Sequence, residues 1–254
     1  MAEPGTVYLV GAGPGAPDLI TLRGARLLAA AEIVFHDALV HPGTLELATR
    51  AEKILVGKRC GRHSTAQRFI NKRLVDAAGA HRIVVRLKGG DPMLFGRAHE
   101  EISALRVAGI TCEVVPGVTS ALAASADLGI SLTQRGVSRS VVFVTPRVGD
   151  GEARRNDWAA AVAAVDTAVI YMGAHEADKI ASVLLDRGLA PGLPVVAVES
   201  ASLPESSYTA LTLAELPRIA ETRRVGPVVL LLGDVYAAAL AACLPLPLAA
   251  ALGT

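Results

Sequence analysis

The run Val84-Val85-Arg86-Leu87-Lys88-Gly89-Gly90-Asp91-Pro92 joins an apolar strand to two glycines, a carboxylate and a proline, and Arg97 follows close behind. Two glycines where a strand ends leave bare main chain against which a ligand can lie. Asp91 offers a carboxylate there, and Pro92 biases it towards an extended conformation. A surface turn uses the same residue types, so the surroundings of this stretch decide its meaning. A second short apolar run, Ile33-Val34-Phe35, delivers His36 and Asp37 at its carboxyl end. Basic residues gather as Lys58, Arg59, Arg62 and His63, as Arg86, Lys88 and Arg97, and as Arg135 and Arg139. Singly, each group reads as solvated loop charge. Together, at converging strand ends, their guanidinium forks would suit a polycarboxylate substrate.

The elements that must position these residues alternate. Strands are expected at Val7–Val10, Ile33–Phe35, Ile54–Val56, Val84–Leu87 and Cys112–Val115. Helices are expected from a Thr21 cap through Ala31, with a stripe of Leu22, Leu27 and Leu28, and over Leu45–Ala51, Gln67–Ala78, Glu100–Val107 and from Thr119 or Ser120 to Gly129. This rhythm implies a mostly parallel sheet covered on both faces, and ligands bind beyond the carboxyl ends of such strands. Leu132-Thr133-Gln134-Arg135-Gly136 breaks it, so a boundary is placed there, giving domains 1–136 and 137–254. Strands follow at Val141–Val144, Ala168–Tyr171, Val195–Val198 and Val228–Leu232, with helices at Trp158–Val165, His175–Arg187 and Leu213–Ile219. Arg147–Asp157 reads as a surface loop.

At 52% hydrophobic and 19% charged residues the chain has a sizeable core and no disordered bias. A net charge of +1 argues against a nucleic-acid binder. Cys60, Cys112 and Cys243 lack metal-ligand spacing, which predicts no metal and a reduced, cytoplasmic setting. The N-terminus shows no leader pattern. Val235–Leu252 is uncharged, but Pro245 and Pro247 interrupt it. A packed helix with an apolar tail is expected there, not a membrane span.

Gly11, Gly13 and Ala16 fit the G-x-G-x-x-G/A dinucleotide fingerprint, with Asp37 near the expected acidic position. A nicotinamide or flavin enzyme is therefore a rival. In that fingerprint the pyrophosphate rests on a helix that begins within the glycines. Here Pro14 and Pro17 keep the loop extended, and the first credible cap is Thr21.

Val10-Gly-Ala-Gly-Pro-Gly15, His36-Asp-Ala-Leu-Val40, Val56-Gly-Lys-Arg59, Val85-Arg-Leu-Lys-Gly-Gly-Asp-Pro92, Phe95-Gly-Arg97, Val115-Pro-Gly-Val-Thr-Ser120, Leu132-Thr-Gln-Arg-Gly136 and Tyr171-Met-Gly173 occur in order along nearly the whole chain. In these the chain resembles the tetrapyrrole (precorrin) methyltransferase superfamily. Arg86-Leu87-Lys88 ahead of the double glycine points, within it, to the uroporphyrinogen-III C-methyltransferases. The resemblance implies two α/β domains, with a mostly parallel sheet in the N-terminal one and a mixed sheet in the C-terminal one. It implies S-adenosylmethionine (SAM) as methyl donor and S-adenosylhomocysteine as product, held by Pro14, Gly89, Gly90, Asp91, Leu94, Thr119, Ser120, Met172 and Ala201. Asp37 and Lys58 would be acid/base groups, with Arg97 and Glu100 helping to activate the substrate. Arg97, Glu100 and Arg135 would hold a tetrapyrrole. The implied reaction is methylation of uroporphyrinogen III at C2 and C7 to give precorrin-2. The implied assembly is a homodimer, without nucleic-acid or membrane partners.

Three segments depart from the family pattern. Ala98-His99 replaces two glycines, Thr145-Pro146-Arg147 replaces Thr-Gly-His, and Ser200-Ala201-Ser202 replaces an Asn/Gly-Thr segment. Without the resemblance, Met172 also reads as core packing. The rivals are a SAM enzyme of the same fold with another acceptor (a later precorrin, an rRNA ribose or the diphthamide precursor) and a non-catalytic nucleotide-binding sensor.

Overall fold

The computed structural model describes residues 3–56, 67–146, 157–221 and 224–242, and the chain divides into two units, residues 1–119 and 120–254. This division lies ahead of the boundary expected after Gly136. The reason is α5 (Ser120–Leu128), whose face of Ala121, Ala124 and Leu128 is buried in the second unit's core.

The first unit alternates β1 (Thr6–Gly11), α1 (Leu22–Ala30), β2 (Ile33–His36), α2 (Pro42–Glu46), β3 (Glu52–Leu55), α3 (Gln67–Ala78), β4 (Ile83–Lys88), α4 (Ala98–Val107) and β5 (Cys112–Val115). All its pairings are parallel, in the order β3-β2-β4-β1-β5. Successive strand residues point to opposite faces. Val10, Val34, Val85 and Leu87 therefore pack under α1 and α2, while Leu9, Phe35 and Val84 pack under α3 and α4. Each buried Val, Leu or Phe contributes roughly 1.5–3 kcal/mol. Thr21 caps α1 by accepting from Gly24 N at 3.1 Å. Leu22 does not join the expected stripe and is 77% exposed, because α1 buries Gly24 and Leu28 instead. The second helix lies ahead of its expected place, since His41 caps it and Pro42 fits its first turn.

The sheet order creates the position that matters for function. The chain leaves β1 through α1 over one face, and leaves β4 through α4 over the other. These two strands are neighbours, so their following loops part at the carboxyl ends, where open α/β sheets bind ligands. β4 separates β1 from β2, unlike the dinucleotide-binding order in which β1 and β2 pair. A three-residue turn of 3-10 helix, Pro17–Leu19, precedes α1, so no helix starts within the glycines.

The second unit adds β6 (Val141–Val144), α6 (Trp158–Ala163), β7 (Thr167–Tyr171), α7 (Ala177–Asp186), β8 (Pro194–Glu199), β9 (Ser207–Thr212), α8 (Arg218–Glu221), β10 (Val228–Gly233) and α9 (Ala237–Ala242). Its sheet runs β6-β7-β10-β8-β9, with β6 and β7 parallel and the other pairs antiparallel. One face buries Ile170, Val195, Leu230 and Leu232 with α6 and α7; the other buries Val169, Val196, Leu231 and Tyr236 with α5. The uncharged C-terminal stretch begins with a buried turn at Val235 and Tyr236 that leads into α9. Among the described residues no helix is long and apolar enough to cross a membrane.

Candidate active site

β4 alternates as any strand does, so Val84, Arg86 and Lys88 all point towards α3 and α4. Arg86 and Lys88 are each 3% exposed. They are not rim residues, as their loop-like composition suggested, because β4 is a central strand with a helix layer on both faces. Buried cations need a counter-charge, and Glu101 supplies it from the first turn of α4. Its Oε1 accepts from Arg86 Nε at 3.0 Å and from Gln67 Nε2 at 3.2 Å, and its Oε2 accepts from Lys88 Nζ at 3.1 Å. Arg86 Nη2 reaches on to Asp37 Oδ1 at 2.5 Å, at the carboxyl end of β2, and Nη1 donates to Leu87 O at 3.1 Å. Burial pulls the Arg86 pKa down, but Asp37 and Glu101 outweigh it and the net shift is upward. Burial, with the Arg86 charge beside it, lowers the Lys88 pKa despite Glu101. Two cations and two carboxylates thus close a balanced network, with Asp37 at its outer, part-exposed end.

Past β4 the backbone itself builds the site. Gly90 N donates to Gly13 O at 2.7 Å, and Gly13 N to Gly90 O at 3.3 Å. Asp91 accepts from Met93 N at 2.8 Å through Oδ1 and from Gly117 N at 2.9 Å through Oδ2. Three strand-end loops are thereby tied together, which brings Pro14, Gly89, Gly90, Asp91 and Thr119 to one place. The glycines serve different ends. A Cβ on Gly11 would lie 2.6 Å from Gly117 Cα, so those two allow backbone to pack on backbone. A Cβ on Gly89 would meet only Leu39 Cβ, at 3.7 Å, and the residue is exposed. Gly89 is the open part of the cradle, which fits a ligand resting on main chain. Leu94 lies half-buried in the next loop, its N–H donating to Asp91 O at 3.3 Å.

Arg97 caps α4 from the left-handed region (φ 55°). Its Nε and Nη2 grip the two Glu100 carboxylate oxygens at 2.7 and 2.9 Å, a two-pronged pair at the surface. Arg97's hydrogen bonds hold the Glu100 carboxyl below its ordinary range. Ala98, where the family pattern has glycine, is buried between α3 and α4, and His99 is exposed.

In the second unit Ser120 opens α5, whose Ala121 N–H donates to the Tyr171 hydroxyl at 3.2 Å. Met172 follows β7 at φ 57°, and at 47% exposure it is not core packing. Ala201 is buried after β8 between Ser200 (φ 54°) and Ser202 (φ 73°). Arg135 is exposed on a turn that Gln134 and Ser138 close with paired backbone hydrogen bonds. All five non-glycine residues with positive φ among the described residues (Phe95, Arg97, Met172, Ser200 and Ser202) lie in these loops. Such strain persists only where the surroundings enforce it, and it gathers at functional sites.

Lys58, with Arg59, Arg62 and His63, lies outside the described residues. Sequence reasoning did not single out Glu101. The signal was available: Arg86 and Lys88 share one face of a strand too apolar to be at the edge, which demands an acid on the covering helix.

The arrangement offers a carboxylate fixed at a strand end, open main chain beside it and a surface guanidinium able to hold acids. A family model for tetrapyrrole (corrin/porphyrin) methylases matches residues 6–217. The chain is 44% identical over 233 residues to a sirohaem synthase from Psychrobacter, covering 91% of this chain and 48% of that protein. It thus spans about half the length of the curated relatives it matches. The solved structure of a uroporphyrin-III C-methyltransferase from Thermus thermophilus complexed with S-adenosylhomocysteine aligns with a TM-score of 0.81 at 40% identity, over 92% of this chain and 99% of that one. A cobalt precorrin-4 methyltransferase aligns at 0.78 with 26% identity, over 91% and 95%.

Proposed function

The chain belongs to the tetrapyrrole methylase family, and from that footing we propose that it is a SAM-dependent C-methyltransferase converting uroporphyrinogen III to precorrin-2. The observation that carries this reading is the full-length match to the S-adenosylhomocysteine-bound Thermus enzyme. Its substantially higher identity favours uroporphyrinogen III over a later precorrin as acceptor.

The open main chain at Gly89, together with Gly90, Asp91, Pro14, Leu94, Thr119, Ser120, Met172 and Ala201, would hold SAM, which leaves as S-adenosylhomocysteine. When bound, SAM supplies an electrophilic methyl, so the protein's task is in-line positioning against an electron-rich pyrrole carbon. Arg97 and Arg135 would anchor the acid-rich macrocycle, with Glu100 setting the orientation of Arg97. The methylated carbon already bears a side chain and has no hydrogen, so the ring system must lose its proton elsewhere as the new carbon–carbon bond forms. Asp37 suits that role: Arg86 occupies Oδ1, leaving Oδ2 for the proton, and Lys58 is the second acid/base group. The free, half-buried thiol of Cys112 fits a reducing cytoplasm. Exposed apolar residues of the second unit, Val137 and Phe143, fit a homodimer contact.

The test is anaerobic incubation with uroporphyrinogen III and SAM, with added methyl groups counted by mass. Two methyl groups are expected. Binding of S-adenosylhomocysteine without any methyl transfer would leave a nucleotide sensor as the better reading.

A further inference from the structure

Ala201 is flanked by two residues in the left-handed region, Ser200 at φ 54° and Ser202 at φ 73°. Neither is glycine, so each pays a steric penalty that the fold must offset. Ser200 is held within the sheet, its N–H donating to Pro227 O at 2.9 Å. Ser202 is held by a carboxylate. Asp127 on α5 accepts the Ser202 N–H at 2.7 Å, and the same Oδ2 accepts from Ser206 Oγ at 3.0 Å. Leu203 N donates to Ser200 O at 3.0 Å and Ser206 N to Leu203 O at 2.9 Å, which closes the loop on itself. Ser202 and Ser206 therefore meet on one oxygen. That oxygen is itself well anchored, since Ala121, Ala124 and Leu128 of α5 are buried in the core that also contains Ala201.

We propose that Asp127 is a positioning residue for the cofactor: it locks the Ser200–Ser206 turn so that the Ala201 peptide stands in its binding conformation before SAM arrives. This rests on Ala201 being a cofactor contact, as read above. A charge-assisted hydrogen bond to a strained N–H is a strong way to fix one backbone geometry. A pre-set loop spares the ligand the cost of ordering it.

The experiment measures S-adenosylhomocysteine binding by calorimetry and steady-state methylation by the full chain. It compares wild type, Asp127→Ala, Asp127→Asn and the double variant Asp127→Ala/Ser202→Gly. Asp127→Ala is expected to raise Kd for S-adenosylhomocysteine and KM for SAM about tenfold, the loss of one charged hydrogen bond. Its kcat and its KM for the tetrapyrrole stay within about twofold, since Asp127 acts only through the loop. Adding Ser202→Gly recovers most of the loss, because glycine adopts the left-handed conformation unaided. Asp127→Asn, which keeps an acceptor oxygen, falls between. An unchanged KM for SAM in Asp127→Ala overturns the proposal, as does a joint loss of kcat and both KM values that Ser202→Gly fails to relieve. If wild type binds no S-adenosylhomocysteine, the cofactor reading falls and takes this proposal with it. If wild type binds and Asp127→Ala binds equally well, only the proposal falls. Should Asp127→Ala not fold, Ser206→Ala removes one of the two donors; a rise in KM for SAM of about threefold is then expected, and no change is the overturning result.

Discussion

Arg86 donates from Nη2 to Asp37 Oδ1 at 2.5 Å, so the carboxylate at the end of β2 is held by a guanidinium that the sheet buries. Replacing Arg86 by Met would leave Glu101, which is 0% exposed, with Lys88 as its only cation among the described residues. Breaking a buried pair from one side costs about 3–5 kcal/mol. Arg86→Met should therefore lower the unfolding free energy by that much, seen as a fall in the urea midpoint, and abolish methyl transfer. A midpoint equal to wild type would show that the network does not hold the sheet together.

Arg97 is exposed, and in the proposed function it holds a substrate carboxylate while Glu100 orients its guanidinium. Arg97→Ala should reduce kcat/KM for the tetrapyrrole about ten- to a hundredfold, the range for one or two charged hydrogen bonds. Arg97→Lys should recover only part of this, because an ammonium cannot form the two-pronged contact. Steady-state kinetics with the reduced tetrapyrrole decide it, and wild-type values in Arg97→Ala would remove the assigned role.

Glu100 has a folded pKa held below its unfolded value by Arg97. The stability this confers is complete above the unfolded carboxyl value of about 4.3. It is lost as pH falls through the lower folded value. Both side chains are about half exposed, so the amplitude is below ~1 kcal/mol after solvent screening. Thermal melts of wild type and Glu100→Gln should differ near pH 6, and the difference should shrink as pH falls below about 4. A constant offset across that range would mean that the pair is not what separates them.

Gly89 and Gly90 predict opposite outcomes. Gly90 sits at φ 68°, so Gly90→Ala should cost about 1–2 kcal/mol of stability. Gly89 does not have positive φ, and its added Cβ finds room. Gly89→Ala should fold within about 0.5 kcal/mol of wild type yet raise KM for SAM, because the methyl group occupies the cradle. Equal cofactor affinity in Gly89→Ala would place the cofactor elsewhere.

Cys112 is a half-buried thiol whose pKa burial pushes up to about 11. At pH 8 only about one molecule in a thousand carries the reactive thiolate. Alkylation by iodoacetamide, followed by peptide mapping, should find Cys112 slow until the pH passes about 10. Rapid labelling at pH 7 would contradict the burial of this strand.

Much of this organisation was legible because its causes are local. Thr21 could be identified as a cap because a hydroxyl precedes a helical stripe, and Gln67–Ala78 because its apolar spacing fits one face. The parallel first sheet followed from alternation of short apolar runs with helices. What could not be read depended on partners distant in sequence. Arg86 and Lys88 look like loop charges until Glu101 is placed over them. Asp91 looks like a free carboxylate until Gly117 donates to it. β9 escaped notice because Ser207–Thr212 is a mostly polar edge strand, which its pairing with β8 alone defines. The resemblance supplied candidate sites that no periodicity could, but not the strained backbone that marks several of them.

The strand order has a consequence for how the first unit is made. β1 is made ahead of the other strands of its sheet, yet both its neighbours, β4 and β5, come last. Until the ribosome has delivered residues 83–115, β1 has no edge to join, and the apolar residues of β1 and β2 await cover. Parallel pairing across such sequence distances is slow because chain closure must precede any reward. Nascent chains halted before Ile83 should therefore be bound by chaperones, whereas those extended beyond Val115 can close the sheet.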